Sequence, residues 1–494
     1  MRHKIWLISI LAVILAVRLF FVFQAPTMSL DSYFSVRQVG SILETGSPIL
    51  EDPLSYSGRL NIISPMYYYV LSGFALIVGE NLALKILPSL FITLFAFIIY
   101  LLAKTLTENE NISLLTAFFS GFIPAFFLNT LNSATPLTVV LPLFFLCIYL
   151  FFHVSKEIYL YAYVICVFIL GLVSPLSFLF VLGLIIFLFL TKLEYKKQSW
   201  QDIELALFSI FLLIWLQVLF YKKAFLFHGF SVVLQNLPVG LLSGYFRDIR
   251  VIDAVYAVGL IPLFLGIFTV YKYTLKEKNR QIYFLVAFAL ATGMVLWLKL
   301  IPLNTGLVFL GSVLIVLASQ SFKLFFAYFA NTKASRWKLI VWIGVIVVFA
   351  MTSIMPSLSW AASTMQNAPG SGEIAALEWI GENVDKDSVV LTSVQEGAIL
   401  NAIAKRKNVA DTNFILIKDV DRIYDDVENM FTTRLETNAV ELTDKYGVNY
   451  IYFSPRTKEL YSIEDIPYRN ERCFETVYDK EVKIYRVRCH VKNA

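Results

Sequence analysis

The sequence predicts a polytopic α-helical membrane protein with a C-terminal extracytoplasmic α/β domain. Of its 494 residues 58% are hydrophobic and only 16% are charged, with 43 Phe and 26 Tyr. A water-exposed domain cannot hide that much apolar side chain. Apolar runs of about 17 to 25 residues recur along the chain, the length that crosses a hydrocarbon core. After Trp360 the composition turns polar and mixed. The net charge of +5 is modest, and its distribution says more than its sum.

The first apolar run, 5–23, follows Arg2, His3 and Lys4. It is long for a secretory signal and lacks a small-residue cleavage site, so it reads as an uncleaved first span with the N-terminus in the cytoplasm. Arg18 lies inside this run near its outer end and is expected to snorkel toward the headgroups. Residues 24–81 form the first external loop, with turns marked by Pro26, Pro48, Pro53 and Gly58. Within it, Pro65-Met66-Tyr67-Tyr68-Tyr69 opens an apolar stretch that ends near Gly79. At about 15 residues, that stretch suits an interfacial helix better than a span.

Further spans are expected at 82–103, 112–129, 136–153, 157–173, 175–191, 203–221, 251–271, 282–298, 303–320 and 338–360. If 65–79 does not cross, Lys104, Lys156, Lys192, Lys196, Lys197, Lys272, Lys276, Lys278, Arg280, Lys323, Lys333, Arg336 and Lys338 all fall on the N-terminal side. That is the cytoplasmic excess of a chain with about eleven spans, N-terminus in and C-terminus out. The transmembrane domain is then 1–362, with a second external loop at 222–250 that carries His228, Arg247, Asp248 and Arg250. Two arginines with an acid among them either grip a phosphate bidentately or form an internally paired patch.

Residues 363–372 read as a linker and 373–494 as the soluble domain. Helical periodicity at 373–383, 397–404 and 425–446 alternates with strands at 388–392, 448–453 and 483–487. About 125 residues are enough to hold an independent core. Cys147 and Cys166 sit in apolar runs, whereas Cys473 and Cys489 lie where a pair of strands could end, placed for a disulfide or two free thiols. No Cys/His metal spacing, phosphate-cradling glycine loop, nucleophile elbow or nucleic-acid motif is present. The sequence therefore predicts no cofactor, and a divalent metal has no support.

The chain is organised around Met28-Ser29-Leu30-Asp31-Ser32-Tyr33-Phe34-Ser35-Val36-Arg37, where it re-enters water after the first span. One carboxylate, two aromatics and an arginine at that boundary form either an ordinary polar loop or a site whose acid takes a proton or binds a metal and whose arginine holds a lipid phosphate. Glu51 and Asp52 are candidate supporting acids, and turn formation is the simpler role for each.

The order of parts resembles the GT-C class of membrane glycosyltransferases, most of all the catalytic subunit of archaeal and bacterial oligosaccharyltransferase. The acidic motif D-x-Y-Y-x-x-R of that family is similar to Asp31-Ser32-Tyr33-Phe34-Ser35-Val36-Arg37, and its D-P-L-S-Y element to Asp52-Pro53-Leu54-Ser55-Tyr56. Its interfacial Pro-x-Tyr-Tyr resembles Pro65-Met66-Tyr67-Tyr68, and Val409-Ala410-Asp411 resembles a short element beyond its acceptor site. Three features depart from the family. The second acidic motif is replaced by Ser133-Ala134-Thr135, W-W-D-Y-G by Ser393-Val394-Gln395-Glu396-Gly397, and a late arginine by Asn304. One acid alone holds a divalent cation poorly.

The resemblance implies a transferase of hexosyltransferase type that moves a sugar from a polyprenyl- or dolichyl-phosphate donor to an extracytoplasmic protein or glycan acceptor. In that reading Asp31 is the general base, and Arg37, Arg247 and Arg250 meet the donor phosphate. Gln395 and Glu396 lie toward the acceptor. Two alternatives stay open: a catalytically inactive scaffold or lipid-glycan-binding protein, and a transporter of lipid-linked sugar. The polar signals cluster at one face and show no repeated halves, which counts against transport.

Overall fold

The computed structural model describes residues 2–193, 200–234, 236–242, 251–274, 279–331 and 338–491. Two compact units share the chain. The first comprises Met1–Ala25, Ser64–Phe220 and Phe246–Gln366, and the second comprises Pro26–Ile63, Tyr221–Tyr245 and Asn367–Ala494.

The first unit is helical. Among the described residues, six helices are long and apolar enough to cross a bilayer, or eight if each of two bent pairs makes one span. That is fewer than the sequence reading of about eleven. The difference lies in short helices: Leu137–Phe151, Glu157–Val173 and Ser177–Leu193 have 15, 17 and 17 residues. Proline sets several of their limits, with Pro136 just before the first and Pro175 between the other two. The break at Pro175 frees the Gly171 carbonyl, and Gln217 Nε2 satisfies it at 2.7 Å. Met66–Val78 is 13 residues long, a rise of about 20 Å that falls short of a hydrocarbon core of about 30 Å.

Glu110–Ser120 and Pro124–Thr130 meet at 48°, and Gly259, at φ 92°, separates two helices that meet at 87°. Polar groups within helices bond back to their own turn, as Thr116 Oγ1 does to the Ile112 carbonyl at 2.8 Å. The core is aromatic, with Phe144 packed edge-on against Phe180, Phe288 and Phe309 at 5.1 Å between centroids. Arg18 does not snorkel. It is fully buried and donates to the Thr130 carbonyl at 2.7 Å and to Thr130 Oγ1 at 2.9 Å.

The second unit is a three-layer α/β/α domain to which the loop after the first apolar helix contributes. That loop carries the helix Tyr33–Thr45 and a small antiparallel pair, β1 (Glu51–Asp52) with β2 (Arg59–Leu60). The main sheet contains β3 (Val389–Leu391), β4 (Lys407–Asn408), β5 (Val448–Phe453), β6 (Phe474–Asp479) and β7 (Lys483–Val487), in the order β4-β3-β5-β7-β6. Pairing is parallel from β4 through β5 and antiparallel from β5 through β6.

Alternation along the strands supplies two cores. Leu391, Ile451 and Tyr485 face the helices Val420–Thr432 and Glu436–Lys445, whereas Val390, Tyr452 and Ile484 face Ser371–Asn383 and Gly397–Ile403. The predicted helix at 425–446 is therefore two helices, broken near Thr433. Cys473 and Cys489 are joined by a disulfide that closes the β6–β7 hairpin.

Candidate active site

Asp31 lies in a single 3-10 turn, Leu30–Ser32, that runs directly into the helix Tyr33–Thr45. Its neighbours turn inward. Ser32 is buried, and Tyr33 packs into the domain core with Leu377 and Leu400. Burial raises the Tyr33 phenol to about 12, so it stays protonated. Asp31 itself stays exposed, and among the described residues no group pairs with its carboxylate. Protein is nonetheless dense around it, and that desolvation raises its pKa above the usual carboxylate value.

Arg37 lies on the helix that Asp31 leads into and grips Asp52 bidentately, Nη1 to Oδ2 and Nη2 to Oδ1, each at 2.7 Å. Asp52 also accepts from the N–H groups of Leu54 and Ser55, at 3.0 and 3.3 Å. Burial alone raises the Asp52 pKa, but the guanidinium and the two N–H groups outweigh it and hold the carboxyl below its usual range. This placement corrects two expectations. Arg37 is committed to an internal ion pair in place of a donor phosphate, and Asp52, of its two expected roles, takes the turn-forming one and does not support Asp31. Glu51 is exposed on β1.

The next turn of the loop is held by residues the sequence reading assigned no role. Ser55 Oγ donates to Asp411 Oδ2 at 2.6 Å, and the Tyr56 hydroxyl donates to the Asp411 carbonyl at 2.6 Å. The Tyr56 N–H donates to Asn408 Oδ1 at 2.7 Å. Tyr56 adopts φ 50°, a left-handed conformation that these bonds sustain. The signals in the sequence were Ser55 and Tyr56 in Asp52-Pro53-Leu54-Ser55-Tyr56 and Asp411 in Val409-Ala410-Asp411; Asn408 had none.

Glu396 is also reassigned. Its carboxyl is 2% exposed and accepts from Ser393 Oγ and Ser454 Oγ at 2.6 Å and from Thr457 Oγ1 at 2.8 Å. It ties the turn after β3 to the helix Pro455–Tyr461, and the three hydroxyls supply the donors that an inward-turned carboxylate no longer gets from solvent. Gln395 is exposed beside it. Arg247 and Arg250 lie outside the described residues. No three His, Cys, Asp or Glu side chains come together as metal ligands among the described residues. The residues described around Asp31 thus do not form a cage for a divalent ion.

Apolar helices followed by a small mixed-sheet domain that embraces the first loop make the GT-C membrane fold, resembling the catalytic subunit of oligosaccharyltransferase. The chain is similar to the Archaeoglobus fulgidus oligosaccharyltransferase in its apo form, with a TM-score of 0.69 and 15% identity over 94% of this chain and 72% of that one. It is also similar to AglB of that organism in complex with an inhibitory peptide and a dolichol-phosphate, with a TM-score of 0.64 and 16% identity over 91% and 69%. A third similar structure is ArnT from Cupriavidus metallidurans bound to undecaprenyl phosphate, with a TM-score of 0.59 and 11% identity over 97% of each chain. No family model and no curated protein matches the sequence. At these identities the likeness establishes the fold.

Proposed function

We propose that the protein is a membrane glycosyltransferase that moves a sugar from a polyprenyl-phosphate donor to an extracytoplasmic acceptor, with Asp31 as general base. The observation that carries this reading is the state of Asp31: solvent-reachable, unpaired among the described residues, and raised in pKa. Asp52 in the same loop is neutralised by Arg37, whereas Asp31 is left uncompensated and free to exchange a proton. The fold supports the reading too, since two similar structures hold dolichol-phosphate and undecaprenyl phosphate.

In the reaction, an acceptor hydroxyl attacks the anomeric carbon while its proton passes to the Asp31 carboxylate. The bond from that carbon to the phosphate oxygen breaks, and the lipid phosphate leaves with the electron pair. Arg247 and Arg250 keep from the sequence alone their assignment to neutralise that phosphate. The orientation with N-terminus in and C-terminus out belongs to the same proposal, because the Lys and Arg distribution supports it.

The test is sugar transfer from polyprenyl-phosphate donors by wild type and Asp31→Asn in proteoliposomes. Loss of about 10²- to 10⁴-fold is expected for the variant. Equal product from both forms removes Asp31 from the chemistry. Donor binding without product in wild type favours the inactive-scaffold reading.

A further inference from the structure

A cavity of about 650 Å³ opens within the second unit, and neither Asp31 nor any residue assigned to the transfer reaction lines it. Its volume falls in the range of about 300 to 1,000 Å³ common to small-molecule sites. Arg59, Lys223, Lys418 and Lys445 line it, and no Asp or Glu does among the described residues.

Nearby acids offset only part of that charge. Lys445 pairs with Asp426, and Arg59 approaches Asp411 at 4.0 Å. Lys223 and Lys418 are exposed and meet no acid among the described residues. Arg59 Nη2 is buried with no acceptor among the described residues. Three of the cations lie over aromatic rings of the lining: Arg59 over Tyr56, Lys418 over Phe227 and Lys445 over Tyr446. Phe227 lies one helical turn beyond Lys223, is 45% exposed, and has Lys418 Nζ 5.4 Å from its ring centroid. Tyr56 and Tyr446 complete the wall.

We infer that this cavity binds an acidic sugar. The cations suit a carboxylate or phosphate, and the aromatic rings suit the apolar face of a sugar ring. The same chemistry reaches the cavity either as a free oligosaccharide or as the headgroup of an acidic glycolipid. Naming it the acceptor site rests on the transferase reading, but binding alone does not, so it is measured without donor.

The experiment uses the full chain in nanodiscs. A glucuronate-containing tetrasaccharide is titrated against its carboxyl-reduced neutral counterpart, and in a second arm vesicles with glucuronosyl diacylglycerol are compared with vesicles carrying glucosyl diacylglycerol. The acidic probe is expected to bind in at least one arm, and that arm identifies the source. Lys223→Gln with Lys418→Gln should weaken it about tenfold or more, while Lys386→Gln, on the exposed surface of the same unit, should not. Both test lysines are exposed and without acidic partners, so an unchanged melting temperature verifies that the variant folds. The inference is overturned if the neutral probes bind equally well, if the double variant binds as wild type does, or if neither arm shows binding.

Discussion

Arg37 and Asp52 form a two-armed ion pair, both contacts 2.7 Å, that links the helix after Asp31 to the turn at Leu54 and Ser55. The Asp52 side chain is 1% exposed and that of Arg37 is 10% exposed. Removing one partner strands the other, so Arg37→Ala should cost about 3 to 5 kcal/mol, read as a lowered melting temperature. The depressed Asp52 pKa fixes the sign of the pH effect. This stabilisation is present above the unfolded pKa of about 4 and is lost as pH falls through the folded value. A variant with wild-type melting behaviour at neutral pH would show that the pair is dispensable.

The raised pKa of Asp31 makes stability and activity move in opposite directions. The native state holds this proton more tightly than the unfolded chain does, so its contribution to stability declines as pH rises from the unfolded toward the folded pKa. Only the ionised form accepts a proton, so kcat/KM should rise with pH through that same folded value. An acid limb above about pH 4, with Asp31→Asn melting no lower than wild type at pH 7, is the expected pair of results.

Glu396 has a raised pKa because burial outweighs the three hydroxyls that donate to it. Glu396→Gln keeps an acceptor for them and should fold normally. It should also remove the part of the wild-type stability loss that comes as pH rises past the unfolded pKa of about 4. Glu396→Ala leaves those donors unpaired and should cost about 1 to 3 kcal/mol. Transfer assays on the Gln variant separate this anchoring role from acceptor contact: unchanged KM for acceptor is expected.

The Cys473–Cys489 bridge spans a sequence separation of 16 residues. Replacing both with Ser should cost about 3 kcal/mol by the chain-entropy estimate for a loop of that length. Thermal unfolding under oxidising conditions measures it, and a reductant should reproduce the shift in wild type alone.

By itself, the sequence determined the elements whose signal is local. Apolar runs located the helical stretches described in the first unit, because each run must find apolar surroundings wherever it lies, but 112–129 and 251–271 each read as one span where two helices meet at an angle. The strands Val448–Phe453 and Lys483–Val487 were legible residue for residue, their β-branched and aromatic runs bounded by turns. β4, only two residues long, and β6, an edge strand studded with acids, were not legible, since pairing rather than propensity makes them strands. Which charges are committed and which are free was decided by tertiary structure alone. Asp31, Arg37, Asp52 and Glu396 read alike as polar residues in loops. Chain folding buried three of them against partners and left Asp31 uncompensated, because a charge can leave water only where an opposite charge or enough donors replace it.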